Sequence, residues 1–164
     1  MNDADWSNTI ATRVNCYGVA DWLRLLAGWL EVNPHRLIPV NPASKLTVEV
    51  PDRGLQLLLR HPHAGLALVA DPDRWVLEQA IFRPPDATLP FGLDAKTETP
   101  DSAQAKLSDE VIGPALGDSR ASYFLDDGRV VELTFGENLI GVTRVWIVRL
   151  GQEVSYADLP GGSV

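Results

Sequence analysis

The most regular pattern of hydrophobic and polar positions lies near the carboxyl end, in SYFLDDGRVVELTFGENLIGVTRVWIVRL, residues 122–150. Apolar and polar residues alternate in VVELTF, so Val131, Leu133 and Phe135 lie on one side of an extended chain. DDGR and GENLIG supply the glycine and acidic residues that favour tight turns. The pattern predicts three antiparallel strands over residues 122–125, 130–135 and 142–150.

A second group of short apolar segments comes earlier in the chain. KLTVEV alternates, and PDRG and DPDR are turn sequences in which proline presets a backbone angle. In WVLEQAIFR, strict alternation puts Trp75, Leu77, Gln79 and Ile81 on one face. These segments predict a four-stranded antiparallel meander with strands at residues 45–50, 55–60, 66–70 and 75–83.

Two segments have helical patterns. VADWLRLLAGWLEV, residues 19–32, repeats its large apolar residues at helical spacing and is followed by Asn33-Pro34, which ends a helix. DSAQAKL, residues 101–107, begins with residues that cap helices and predicts a short helix. The remaining ends are predicted to be irregular, with a loose arm over residues 1–15 and a frayed tail from Gly151.

The two strand groups have similar layouts, and this predicts an internal structural duplication. Residues 55–83 and 121–150 each contain two strands and then a long strand rich in Trp, Val and Arg. The predicted class is α+β, an antiparallel sheet built from two meanders with helices packed on one face. The length suits a single domain, residues 1–164, with subunits 16–83 and 89–150 joined by a proline-rich connector, 84–100.

Composition and charge restrict the function. The formal net charge is −8, which disfavours nucleic-acid binding because phosphate neutralisation needs clustered Lys and Arg. An acidic surface suits a basic protein partner, or serves solubility alone. The first residues lack the pattern of a secretory signal, and the apolar runs are too short to span a membrane. A cytoplasmic location is therefore expected, the alternative being export by a route that needs no cleaved signal.

No motif for catalysis, metal binding or a cofactor stands out. The histidines are His35, His61 and His63, and the pair in HPH supplies too few ligands for a dedicated metal site, the alternative being a weak surface site of His63 with Asp71 and Asp73. The single Cys16 has no basic cluster beside it to activate it. Most carboxylates occur in predicted turns, where Asp is favoured for backbone reasons. We therefore expect no enzyme and no cofactor, although a small enzyme that uses a carboxylate pair remains an alternative.

Candidate contact residues come from the turns and from the polar side of the sheet. Glu132 projects from the side opposite Val131 and Leu133, and Trp146 shares a face with Arg144. Trp146 is either exposed beside Arg144 or packed under the helix of the other subunit. An aromatic residue and an arginine rimmed by acids are typical of an interaction hot spot. The predicted partner-binding residues are Asp71, Asp73, Trp75, Asp126, Asp127, Glu132 and Trp146.

Three stretches, LPFGLDAKTETPDSAQAKL, ASYFLDDGRVVELTF and LIGVTRVWIVRL, together resemble the carboxyl halves of small bacterial immunity proteins. Such proteins accompany polymorphic toxins or type VI secretion effectors and neutralise them by direct binding. The layout of helix and sheet is also similar to that of beta-lactamase inhibitory proteins and small outer-membrane assembly lipoproteins. The resemblance covers about residues 89–150 and implies no catalytic residues.

The resulting hypothesis is a cytoplasmic immunity protein that blocks the active site of a cognate toxin. The partner is expected to be basic, as a nuclease would be, because the acidic chain would then speed the association. The alternative is an adaptor or chaperone that holds a secretion-system partner without inhibiting it. Neither hypothesis predicts an oligomeric state.

Overall fold

The computed structural model describes residues 1–38, 45–61 and 72–159. Their α-helices are α1 (Asp3–Thr12), α2 (Ala20–Leu30) and α3 (Pro100–Leu107). Their strands are β1 (Cys16–Tyr17), β2 (Lys45–Val50), β3 (Leu55–Arg60), β4 (Val76–Phe82), β5 (Val111–Ile112), β6 (Arg120–Phe124), β7 (Arg129–Phe135), β8 (Val142–Arg149) and β9 (Val154–Ser155). None of the helices in these ranges is long and apolar enough to cross a membrane.

One seven-stranded antiparallel sheet dominates the fold. Its strand order is β2-β3-β4-β8-β7-β6-β5, so β4 and β8 join the two predicted meanders edge to edge, with Ala80 opposite Ile147. The predicted α+β class, with an antiparallel sheet of two meanders, is confirmed. The predicted strand at residues 66–70 lies outside the described residues, which contain three strands of the first meander.

The core lies on one face of this sheet. Val131, Leu133, Val145 and Ile147 are fully buried and alternate with partly exposed residues, as the sequence pattern predicts. The helices join the same core through their apolar positions, among them Ile10 in α1, Leu23 and Leu26 in α2, and Ala103 in α3. The fold thus has one covered face and one face that keeps contact with solvent.

The connector at residues 84–100 is part of this core rather than a free linker. Leu89 and Leu93, from the LPFGL sequence, are buried. Two hydrogen bonds fasten the connector to α1: the Ser7 hydroxyl donates to the Thr88 carbonyl across 2.6 Å, and the Phe91 amide donates to Asn8 Oδ1 across 2.6 Å.

The strict alternation predicted for β4 is wrong because the strand contains a β-bulge. Leu59 lies opposite Leu77, whereas the adjacent Leu58 lies opposite Gln79, so Glu78 is the extra residue. The bulge changes which side chains point inward. Leu77 is buried in the core, but Gln79 points away from it, on the side that keeps contact with solvent.

The predictions for the two chain ends are also wrong. The loose arm is the helix α1, which begins with a capping box between Asn2 and Asp5. The tail does not fray at Gly151, because β9 pairs in parallel with β1 through the Val154 amide and the Asn15 carbonyl, 3.1 Å apart. The β1–β9 pairing thus places the segment that follows α1 next to the last described residues of the chain.

Candidate protein-binding surface

The sheet face opposite the core is the outer face, and its side chains are partly exposed. Register across the strands gives a continuous row on this face: Ile81 lies opposite Trp146, Trp146 opposite Glu132, and Glu132 opposite Ser122. The large or charged side chains at the centre of the outer face are Gln79, Ile81, Val130, Glu132, Arg144, Trp146 and Val148. The face is therefore a mixed apolar and polar surface.

Trp146 lies at the centre of the outer face and has defined partners. Its indole N–H donates to Gln79 Oε1 across 2.9 Å, and the Arg144 guanidinium carbon lies 5.7 Å from the ring centroid. The predicted arrangement, in which Val145 and Ile147 form core and Trp146 lies beside Arg144, agrees with this geometry. An aromatic ring that is oriented before binding loses little conformational entropy when a partner covers it.

Acids of the outer face are paired with arginines, one pair beside Trp146 and the others at the end of β3. Glu132 lies 3.7 Å from Arg144, and Arg60 contacts both Glu78, at 3.4 Å, and Glu153, at 2.6 Å. These carboxylates face guanidinium groups, so the arrangement lacks the converging acids with divergent environments that general acid–base chemistry needs. The centre of the outer face suits recognition better than proton transfer.

The two acids of the β6–β7 turn have different environments. Asp127 accepts hydrogen bonds from the Arg129 amide, at 3.1 Å, and from Arg129 Nε, at 2.7 Å, and lies 3.9 Å from Arg149. It therefore fastens the turn. Asp126 is exposed at the tip, and within the described part of the chain it forms no ion pair. Of the two predicted contacts, Asp126 has its carboxylate available to a partner.

The three predicted contacts of the first meander have different outcomes. Trp75 is fully buried, edge-on to His61 with ring centroids 5.4 Å apart, so its prediction as a surface contact is wrong. The bulge explains the error, because it reverses the faces after Leu77, so that Trp75, which precedes β4, and Phe82 both point inward. Asp73 is exposed, and its carbonyl accepts from the Gly18 amide. Asp71 lies outside the described residues.

Asp73 and Asp126 lie at the same end of the sheet. Strands β4 and β7 each run antiparallel to β8, so they run parallel to each other and begin at one end. Asp73 precedes β4 and Asp126 precedes β7. The structure therefore brings these two predicted residues to one end of the sheet, from which β4 and β7 begin.

One buried acid has a structural role that the sequence did not reveal. Glu98 is 1 % exposed and accepts hydrogen bonds from Lys106 Nζ, at 2.7 Å, from the Asp94 amide, at 2.8 Å, and from the Ser102 hydroxyl. Burial alone would raise the pKa of the Glu98 carboxyl, but these hydrogen bonds outweigh it and lower the pKa. The network ties α3 to the connector.

Gln79 is a further surface residue that sequence reasoning missed. Its role depends on the bulge at Glu78, which places the amide within reach of Trp146 on the neighbouring strand β8. A bulge changes the alternation by one residue, and no local turn signal in WVLEQAIFR marks it.

The described residues contain no group of three or more His, Cys, Asp or Glu placed to hold a metal ion. Cys16 is fully buried, and burial raises the pKa of its thiol. A buried thiol with a raised pKa reacts slowly.

Comparison with protein-family models, with curated proteins and with solved structures finds no match to this chain.

Proposed function

We propose that the chain is an immunity protein that binds a cognate bacterial toxin domain through the outer face and thereby covers the active site of the toxin. The observation that carries the proposal is Trp146, a partly exposed tryptophan with a fixed indole at the centre of the outer face. Tryptophan is among the residues that contribute most to binding energy at the centres of protein interfaces.

The surroundings of Trp146 support a protein partner rather than a small molecule. Apolar side chains, Ile81 and Val148, lie on the same face as Arg144 and Glu132, which gives an apolar centre with polar groups at its margin. The strands of this face form an extended surface, and a surface of that shape fits another protein better than it fits a compact ligand.

Charge supports a basic toxin domain as the partner. The chain has a net charge of −8, and exposed Asp126 and Asp73 lie at one end of the outer face. Carboxylates at the rim of an interface accelerate encounter with a basic surface and suppress wrong partners. A nuclease-like toxin has such a surface, and the chain would meet it in the cytoplasm.

The test begins with a pull-down of the tagged chain from its host, which identifies the protein that it retains, and continues as a growth assay with that protein as the toxin. The toxin is expressed alone, with the wild-type chain, and with a Trp146→Ala variant. The proposal predicts that the toxin alone arrests growth, that the wild-type chain restores growth, and that the variant restores it poorly although it accumulates as folded protein. A partner that binds the chain without arresting growth on its own would favour the adaptor alternative and contradict the immunity function.

A further inference from the structure

The loop between β5 and β6 presents a leucine that packs against none of the residues that the structure describes. Leu116 is 108 % exposed, the highest value among the exposed large hydrophobic residues of the described chain. Full exposure of a leucine leaves its whole apolar surface in water, at a cost that burial against a partner would remove. Leu116 lies at the tip of a turn, which makes it a projecting side chain rather than part of a flat surface.

The turn that carries Leu116 is well braced. The Asp118 amide donates to the Ala115 carbonyl across 2.9 Å, and Gly117 has a φ of +81°, which closes a β-turn with Leu116 and Gly117 at its centre. Asp118 Oδ1 also accepts from the Arg120 amide across 3.0 Å. A tip with this support keeps its shape before binding.

Close backbone contacts brace both ends of the same loop. A side chain at Gly113 would place its Cβ 2.7 Å from the Arg120 carbonyl oxygen, so only glycine fits there. At the other end, the Phe135 amide of β7 donates to the Ser119 carbonyl across 2.8 Å. The loop therefore leaves and rejoins the sheet at fixed points.

A second apolar loop lies beside the Leu116 turn. The β7–β8 loop contributes Leu139, and the two loops together line an open groove of about 680 Å³ that also includes Pro114. The next residue, Ile140, is 55 % exposed. Segments 108–120 and 136–141 contain four carboxylates and one arginine, Arg120, which lies 3.3 Å from Asp118, so the apolar tip lies in a setting with a net charge of 1 − 4 = −3.

The tip continues the outer face. Ile112 of β5 lies opposite Ser122, and Ser122 lies opposite Glu132, which extends the row that contains Trp146 to the edge next to the loop. The loop lies at the end of β7 opposite to Asp126, roughly 20 Å away at the usual rise per strand residue. A protein interface of ordinary size is roughly 30 Å across, so one partner can cover both ends.

We propose that Leu116 is an anchor that inserts into an apolar pocket on the toxin domain, with basic residues of the toxin around that pocket. This inference rests on the proposed function and adds a second point of contact to it. We infer the basic residues of the toxin from the negative charge of the two loops, and the apolar pocket from the exposure of the leucine.

The test is the dissociation constant for the purified toxin domain, measured by calorimetry for the wild-type chain and three variants. Leu116→Glu should weaken binding roughly 30-fold or more, the loss expected at a hot spot. Leu116→Met should recover most of the affinity because it keeps the apolar surface. The matched control is the same substitution at another exposed leucine, Leu25→Glu on α2, which is 67 % exposed, and it should change affinity by no more than about twofold.

The outcomes separate the two proposals. Absence of binding by the wild-type chain would overturn the proposed function and the anchor with it. Binding by the wild-type chain with equal affinity for Leu116→Glu would overturn the anchor alone. The melting temperatures should agree across the variants, since neither leucine is packed in the core.

Discussion

The indole N–H of Trp146 donates a hydrogen bond to Gln79 Oε1 across 2.9 Å, and this bond joins β8 to β4 on the outer face. It exists because the bulge at Glu78 returns Gln79 to that face. The contact spans the point where the two meanders meet. The proposed centre of binding is therefore assembled by both halves of the chain.

The Trp146–Gln79 contact can be tested without a partner. In Gln79→Ala, the Trp146 indole N–H loses its protein acceptor and turns to water, so its hydrogen exchange should accelerate while stability falls by at most about 1 kcal/mol. Nuclear magnetic resonance of the indole proton gives the measurement. Gln56→Ala is the matched control, because Gln56 lies on the same face and accepts from Arg83 instead. Equal exchange in both variants would contradict the contact.

Asp126 and Asp127 should behave differently when each is replaced by Lys. Asp126→Lys should leave the melting temperature unchanged, because the Asp126 carboxylate is exposed at the turn. Asp127→Lys should lower the free energy of unfolding by about 1–2 kcal/mol, since Arg129 loses its hydrogen-bond acceptor and partial exposure limits the loss. Thermal denaturation of both variants makes the comparison, and equal stability would argue against the assigned role of Asp127.

With the toxin domain, Asp126→Lys should lower the association rate and weaken its dependence on salt. The reason is that a rim carboxylate acts mainly through long-range attraction, which salt screens. Stopped-flow mixing at low and high ionic strength gives both quantities. An unchanged rate would remove the electrostatic part of the account and leave the outer-face contact untouched.

The Glu98 network should make stability depend on pH in the acid range. The folded-state pKa of Glu98 is below its ordinary value of 4.5, so the stabilisation is fully present above that value and is lost as pH falls through the lowered pKa. Glu98→Gln should reduce stability at neutral pH and flatten the decline on acidification. Urea titrations from pH 3 to pH 7 (roughly the span of carboxyl titration) measure this effect.

Glu110→Gln is the control for the Glu98 experiment, because Glu110 is exposed and lies on the segment that follows α3. Its pH dependence should match the wild-type chain. If Glu98→Gln also matched the wild-type chain, the hydrogen bonds from Lys106 and Ser102 would not be a source of stability at neutral pH.

Cys16 should react with a thiol reagent only when the chain unfolds. Its side chain is fully buried in β1, and burial raises the pKa of the thiol. In the native state the reaction should be slower by orders of magnitude than in urea, and its rate should follow the opening of the β1–β9 pairing. Rapid labelling of the native protein would show that this pairing is open in solution.

Strands with one buried face were predictable from the sequence. Val131, Leu133 and Phe135 alternate with partly exposed residues, and a period of two assigns their faces without knowledge of the partners. The same argument failed for β4, where one extra residue at Glu78 reverses the faces after Leu77. A bulge depends on the register with the neighbouring strand, and a single strand does not record it.

The chain ends were mispredicted for a different reason. α1 has few large apolar residues, and its formation depends on the Asn2 cap and on contacts with the connector that are distant in sequence. The parallel pairing of Val154 with Cys16 is more distant still. Among the predicted contacts, alternation correctly assigned Glu132 and Trp146 to the outer face. Trp75 is buried in the core instead, because the bulge reverses the faces of β4.

The measurement that tests the central claim most directly is the affinity of Trp146→Ala for the toxin domain, with Trp146→Phe as the conservative comparison. The account predicts that Trp146→Ala stays folded and binds roughly 30-fold more weakly or worse. Trp146→Phe should bind with an affinity between that of Trp146→Ala and that of the wild-type chain, because it keeps an aromatic ring but loses the hydrogen bond to Gln79. Wild-type affinity in a folded Trp146→Ala variant would contradict the outer face as the binding surface.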